Sequence, residues 1–408
     1  MSSLINELKV SDANINVFII GLRGYTQDYG GWESFAHGLL DNWVDNSIHF
    51  YAFEKVNDEK KEEIVEVNNV TCIRVCETEE GSSAMMKYDR RCTDLACEFT
   101  KLYNIKNPIL YHLGVRIGPY LWLKRKQIKK LGINMIENPA GAEWRRTKWN
   151  KLVQVYLFIS AIMMAKSTDY MVCDNEGIRQ LYKKILIGKK PRLECIAYGV
   201  EEADKVDNTM PEKVKVFFDK WHIQRDQYYL ILGRYVPENN YEMMIKGFMK
   251  SDTKRKLLII TNYKEELEKF HEYILSTTNF LNDDRIIMAG TLYDKEILSY
   301  IRQYAHGYIH GHSVGGTNPG LLEAMSETDV NLLYDVSFNR FIGKNAALYF
   351  SDTQELVRLI HKVDFMPEKE KKMYGIKARA IMKREYSWEK IVDEYDALFC
   401  RILKERKG

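Results

Sequence analysis

The stretch HGHSVGGTNPGLLEAM, residues 310–325, sets how the rest of the chain is read. A short apolar run, 307–310, ends in it as a strand would. A glycine-rich loop follows, and a helix starts near Pro319, where a proline in the first turn and glycines just before it act as start signals. Strand, glycine loop and helix start together bring bare backbone N–H groups close to an anion. The helix end adds about half a positive charge. A diphosphate is the natural guest. Glu323 lies one turn into the helix, where its carboxylate can accept a hydrogen bond from a sugar hydroxyl. The competing reading is a plain strand–turn–helix connection with a solvated glutamate. The whole string is more specific than a lone GxGxxG.

Working outward, the same alternation runs through the chain. Before the stretch, strands are expected at 228–232, 256–261 and 286–289, with helices at 240–249, 265–276 and 294–304. After it come a helix at 320–326 and a strand at 330–334. An earlier series has strands at 15–20, 48–53, 70–75, 108–113, 133–138, 170–174 and 192–197, with a helix at 33–43. Strand alternating with helix implies parallel sheets covered on both faces. Between the series, 201–225 is polar and charged and contains Pro211, which marks a linker. The expected fold class is therefore α/β, with two doubly wound, Rossmann-like domains at 1–202 and 226–386 joined by 203–225. Ligands of such sheets bind at the carboxyl ends of the strands.

Several motifs sit at those ends. In GRYVPENN (233–240), Gly233 and Arg234 follow the first strand of the second domain, and the Arg234 guanidinium can clamp a diphosphate bidentately. A surface arginine paired with Glu238 is the alternative. In GLRGYTQDYGG (21–31), four glycines make a closely approachable loop. Its Arg23 faces phosphate or acceptor, or else a structural ion pair. In YHLGVRIGP (111–119), His112 ends a strand and can orient a hydroxyl, or is a satisfied core histidine; Arg116 is a similar case. NPAGAEWRRTKW (138–149) carries Glu143, Trp144 and Arg145 ahead of the apolar run 152–165. Basic residues and tryptophan beside an apolar helix have the character of an interfacial membrane contact. The basic run 120–130 beside Trp122 adds sites for anionic headgroups. Ordinary packed and solvated helix faces are the alternative for both.

Composition narrows the classes. The 408 residues carry 60 basic and 57 acidic side chains, a net charge of +3, so no global field for nucleic acid is present. Seven cysteines, an odd number without CxxC spacing, point to reduced cytosolic thiols rather than disulfides or zinc. The N-terminus lacks a basic segment before an apolar run, so no secretory signal is expected. The run 152–165 is shorter than the roughly 20 residues that span a bilayer. No phosphate loop of the GxxxxGK[ST] type, HExxH, GxSxG or DxD pair occurs. Stabilisation of a leaving diphosphate by arginine and a helix end, without metal or other cofactor, is the economical expectation.

The strings GLRGYTQDYGGWESF (21–35), EWRRTKW (143–149), AYGV (197–200), GRYVPENN (233–240), HGHSVGGTNPGLLEAM (310–325) and YSWEKIVDEY (386–395) run in order along nearly the whole chain. In them the sequence resembles retaining GT-B glycosyltransferases of family four, and within these the bacterial rhamnosyltransferases of capsule and cell-wall polysaccharide assembly. The resemblance implies an N-terminal acceptor domain, a C-terminal nucleotide-sugar domain, and a final helix, 387–408, packing back. Implied donor contacts are Arg23, Gly24, Gly233, Arg234, Asn239, Gly315, Gly316, Thr317, Asn318 and Glu323. Implied acceptor contacts are Tyr29, Gly30, Gly31, Arg116, Glu143, Trp144 and Arg145. His112, Arg234 and Glu323 are the implied catalytic set. The implied donor is dTDP-L-rhamnose, and the implied acceptor an undecaprenyl-diphosphate-linked sugar at the cytoplasmic face of the membrane. Two departures stand out: Gly315 occupies the first glutamate position of the family's E-x7-E pattern, and the lysine after its GR arginine is replaced near Asn239. An epimerase or phosphorylase on the same fold would need an acid–base pair or a pyridoxal-phosphate lysine, neither of which can be placed. A non-catalytic partner of another transferase would show degenerate phosphate residues, as Gly315 and Asn239 suggest, against an intact Arg234, glycine loop and Glu323.

Overall fold

The computed structural model describes residues 3–25, 31–146, 148–188, 190–203, 206, 209–262 and 267–407. They form two compact units, Met1–Gly199 with Trp388–Gly408, and Val200–Ser387.

The first unit is built from β1 (Ile15–Ile20), α1 (Gly31–Asp41), β2 (Ile48–Val56), β3 (Ile64–Val67), β4 (Val70–Cys76), α2 (Ser82–Tyr103), β5 (Pro108–Leu113), α3 (Gly118–Lys130), β6 (Asn134–Asn138), α4 (Lys151–Ala165), β7 (Tyr170–Cys173), α5 (Glu176–Ile185) and β8 (Arg192–Cys195). Its sheet has the order β3-β4-β2-β1-β5-β6-β7-β8. All pairs are parallel except β3 with β4. Every residue of β1 and β5 is buried, as expected for central parallel strands covered on both faces. Strand order reverses at β1 and β5, which makes the space past their carboxyl ends a switch point. Gly21 leaves β1 there with φ +111°, and a Cβ on it would lie 2.4 Å from the Leu113 carbonyl oxygen. Only glycine allows the loop after β1 to pass so close to β5.

The second unit contains α6 (Glu212–Lys220), β9 (Tyr228–Leu232), α7 (Tyr241–Lys250), β10 (Lys256–Ile260), α8 (Glu268–Thr278), β11 (Ile286–Gly290), α9 (Lys295–Gln303), β12 (Gly307–His310), α10 (Pro319–Glu327), β13 (Asn331–Tyr334), α11 (Ser337–Gly343), β14 (Leu348–Phe350), α12 (Thr353–Asp364) and α13 (Glu368–Glu385). Its order is β11-β10-β9-β12-β13-β14, all pairs parallel, so the switch point lies between β9 and β12. The core gathers Tyr229, Ile231, Ile245, Phe248, Leu257, Ile259, Ile309 and Leu332 between strands and helices.

Two boundaries differ from the sequence expectation. The chain leaves the first unit after Gly199, and the segment expected as linker carries α6, whose Phe218 packs edge-on against Tyr228 and Tyr304. Val214 and Phe218, four residues apart on one helical face, bury a stripe that the charged average of the segment hides.

The last helix, α14 (Trp388–Lys407), belongs to the first unit. Tyr395 Oη lies 2.6 Å from Tyr111 Oη. The Trp388 indole sits where a Cβ on Gly38 or Gly199 would fall, 1.8 and 2.3 Å from its ring atoms. Both glycines are seats for that ring.

Candidate functional site

In the second unit, β9 and β12 end side by side and release the loops 233–240 and 311–318. Side chains and backbone tie the two loops together. The Ser313 backbone N–H and hydroxyl both donate to the Glu238 carbonyl, at 2.9 and 2.7 Å. Asn240 Nδ2 donates to the Gly311 carbonyl at 2.7 Å. A Cβ on Gly311 would lie 2.3 Å from the Asn239 carbonyl oxygen, so the loops touch backbone to backbone. Glycine at 311 is what permits it.

Along the second loop, Gly316 and Thr317 are buried, while a Cβ at Gly315 would meet nothing within 4 Å. Asn318 Oδ1 accepts from the Leu321 N–H at 3.2 Å and caps α10, whose first residue is Pro319. The oxygen of Asn318 is therefore used within the fold as the cap of α10. The buried Asn239 amide donates to the Arg234 carbonyl at 2.8 Å and shapes the turn that presents Arg234. Arg234 itself is exposed. Gly233 lies beside His312, to whose Cε1 a Cβ would approach within 3.1 Å. His312 stacks flat on His310, ring centroids 4.1 Å apart. Burial pulls the His310 pKa down to about 3.

Glu323 is part-exposed and ion-paired. It pairs with Arg302 of α9, which also holds Glu327 at 3.1 Å. Sequence reasoning missed Arg302, since nothing in the helical pattern of 295–303 separates an inward arginine from a solvated one.

In the first unit, the backbone of Arg23 is held from both sides. Its N–H donates to buried Glu33 Oε1 at 2.9 Å, and its carbonyl accepts from the Lys55 N–H at 2.7 Å. The side chain of Arg23 is exposed, and Gly24 is buried. Tyr29 and Gly30 lie outside the described residues; Gly31 opens α1, with open space at its Cβ position. Arg116 pairs with buried Asp89 of α2 at 3.0 Å and donates to the Gly21 carbonyl at 3.3 Å. The guanidinium expected to meet an acceptor thus braces the loop after β1.

His112 is 2% exposed, and burial alone lowers its pKa to about 3. It is a neutral imidazole whose Nε2 has no hydrogen-bond partner among the described residues. Its partner across β5 and β6 is Glu137, fully buried and pushed well above the carboxylate range by desolvation. The sequence reading passed over Glu137, because an acid inside a strand gives no sign of its burial.

Glu143 binds Arg146 at 2.8 Å and Lys148 at 3.0 Å and accepts from the Trp149 indole N–H at 3.1 Å. Those cations outweigh its desolvation and keep its pKa below the ordinary value. Trp144 packs edge-on against Phe158 and Tyr182, at 5.5 and 5.9 Å, so its ring is spent on the protein rather than on lipid. Arg145 is exposed. Among the described residues, no three His, Cys, Asp or Glu side chains gather as a metal-holding group.

Comparison with known proteins bears on this frame. The model of a domain of unknown function, DUF1972, matches residues 14–201. An uncharacterized glycosyltransferase of Methanocaldococcus jannaschii is 24% identical over 304 residues, 70% of this chain and 71% of the relative. A sucrose-phosphate synthase from Thermosynechococcus elongatus superposes with a TM-score of 0.76 over 96% of this chain and 100% of its own, at 14% identity. The fold is GT-B. HepE of Anabaena, solved in complex with UDP, superposes with a TM-score of 0.67 over 95% of this chain and 100% of its own, at 11% identity. In this chain the GT-B frame puts a helix-capped glycine loop and an exposed arginine at the switch point of the second sheet.

Proposed function

We propose that the protein is a glycosyltransferase enzyme whose second unit holds a nucleoside diphosphate sugar and whose first unit receives the acceptor. The carrying observation is the 311–318 loop, pinned by Glu238 and Asn240 and running into the capped start of α10. Its N–H groups and the helix end supply a fixed positive potential for a diphosphate, with Arg234 at its rim. Glu323 accepts from the ribose or deoxyribose. With the diphosphate charge met in this way, the reaction needs no resident metal.

The donor we propose is dTDP-L-rhamnose, transferred with retention onto an undecaprenyl-diphosphate-linked saccharide in capsule or cell-wall assembly, at the cytoplasmic membrane face. The motif strings 21–35 and 310–325 support this subgroup. The membrane half is supported by the exposed side of α4. Leu152 is 83% exposed, and Val155 and Ile159 follow it at helical spacing, with Lys148 and Lys151 at the start. α3, whose Gly118 N–H donates to Ser160 of α4, adds exposed Leu123, Lys126 and Lys130. An apolar stripe edged by cations fits an anionic bilayer surface. No described helix is long and apolar enough to cross one.

The test is a calorimetric panel of dTDP-rhamnose, UDP-glucose, UDP-galactose, UDP-N-acetylglucosamine and GDP-mannose, with and without magnesium. Selective binding of dTDP-rhamnose without metal is expected. Binding of another sugar nucleotide discards rhamnose and keeps the transferase. No binding moves the weight to a non-catalytic partner.

A further inference from the structure

Arg302 lies in the last turn of α9 and is only 6% exposed. Its guanidinium reaches two carboxylates of α10. One Nη pairs with Glu323 and the other with Glu327 at 3.1 Å, while Nε has no partner among the described residues. Among the described residues, the side-chain hydrogen bonds of this buried cation are therefore the two to α10. Glu323 is 44% exposed at the side chain and Glu327 11%, so the pair runs from the solvent edge inward.

Glutamates four residues apart on one helical face repel each other. Burial already pushes the Glu327 carboxyl above its usual range, and Arg302 opposes that push. The rise between the two residues is about 6 Å, which a guanidinium fork can bridge and an ammonium cannot.

We infer that Arg302 is the positioning residue for the sugar ring of the bound nucleotide, acting through Glu323. It fixes the rotamer of Glu323 from the buried side, neutralises the repulsion from Glu327, and leaves the exposed side of the Glu323 carboxylate to accept a ribose hydroxyl. This rests on the reading of Glu323 given above. It explains how a glutamate at the solvent edge is kept in one orientation without a backbone contact of its own.

The experiment compares dTDP with 2′,3′-dideoxythymidine diphosphate by titration calorimetry, since the second lacks the hydroxyl that Glu323 would bind. The parent protein is expected to prefer dTDP about tenfold, the scale of one hydrogen bond to a charged group. Glu323→Ala abolishes the preference. Arg302→Met reduces it to about twofold, and Arg302→Lys, which keeps a charge on one carboxylate, falls between. Because a lone Arg302→Met leaves two facing carboxylates, Arg302→Met with Glu327→Gln is the second variant. It relieves the repulsion and is expected to show the same lost preference in a folded protein. If Arg302→Met and the double variant keep the full preference, or weaken both ligands equally, the positioning role is overturned while the Glu323 reading stands. If the parent protein shows no preference or binds neither ligand, the Glu323 reading fails and takes this inference with it.

Discussion

Replacing Gly311 by alanine tests whether the two loops of the second unit must touch backbone to backbone. The new Cβ would lie 2.3 Å from the Asn239 carbonyl oxygen and 2.7 Å from Met244 Sδ. The thioether can swing aside, but the carbonyl belongs to the turn that carries Arg234 and cannot. Overpacking of this kind costs about 1–3 kcal/mol. The turn must also move away from Asn240, whose bond to the Gly311 carbonyl is worth about 1 kcal/mol more. For a unit of this size each kcal/mol lowers the melting temperature by about 2–4 °C, so a loss of roughly 5–15 °C is expected. Gly233→Ala is the internal control. Its Cβ would stand 3.1 Å from a histidine ring edge, which can shift by a few tenths of an ångström, and its cost should stay under about 1 kcal/mol. Thermal unfolding followed by tyrosine fluorescence reads both variants, and nucleotide calorimetry should show weakened binding in Gly311→Ala. Equal melting temperatures for Gly311→Ala and the parent, or a larger loss in Gly233→Ala, would refute the backbone-contact reasoning.

Trp388→Ala should cost about 3 kcal/mol or more by emptying the seat made by Gly38 and Gly199, read as a lower urea midpoint. His310 has a folded pKa of about 3 against about 6.5 unfolded. The unfolded chain therefore binds the extra proton between those values, and stability falls as pH drops below about 6.5, by about 1.4 kcal/mol per pH unit from this one group. His310→Phe should flatten the slope of melting temperature against pH over 6.5–4.5; an unchanged slope would remove His310 as its source. On vesicles containing anionic lipid, Leu152→Ser with Ile159→Ser should cut partitioning by about a hundredfold or more, since burying two aliphatic side chains is worth about 3–6 kcal/mol, and Trp144→Ala should lower stability instead. Partitioning that follows Trp144 and ignores α4 would sink the proposed surface.

What the sequence reveals and what it conceals separate along physical lines. Central parallel strands buried on both faces are written as short, mostly apolar runs, and 15–20, 108–113 and 228–232 coincide with β1, β5 and β9. The edge strand β3, IVEV, is short and half exposed, so it left no such run. α2 and α13 carry many charges, and their inward faces are seen only once the sheets they cover are known. The candidate site divides in the same way. Glycines and a proline at a strand-to-helix junction announce a loop that nears an anion, because few other residues tolerate that backbone. A side chain's partner is not announced at all. The resemblance implies ligand contacts for Arg116 and Asn318, and in the fold one binds Asp89 and the Gly21 carbonyl while the other caps α10. Glu323, expected to accept a sugar hydroxyl, is also backed by an arginine 21 residues earlier in the chain. Residue type and spacing thus select where an anion can be held, whereas the residues that make the holder rigid come from separate elements and pair only through the fold. That is why substitution at Gly311, Asn239, Asn240 and Arg302, none of which needs to touch a ligand, should still be felt in binding.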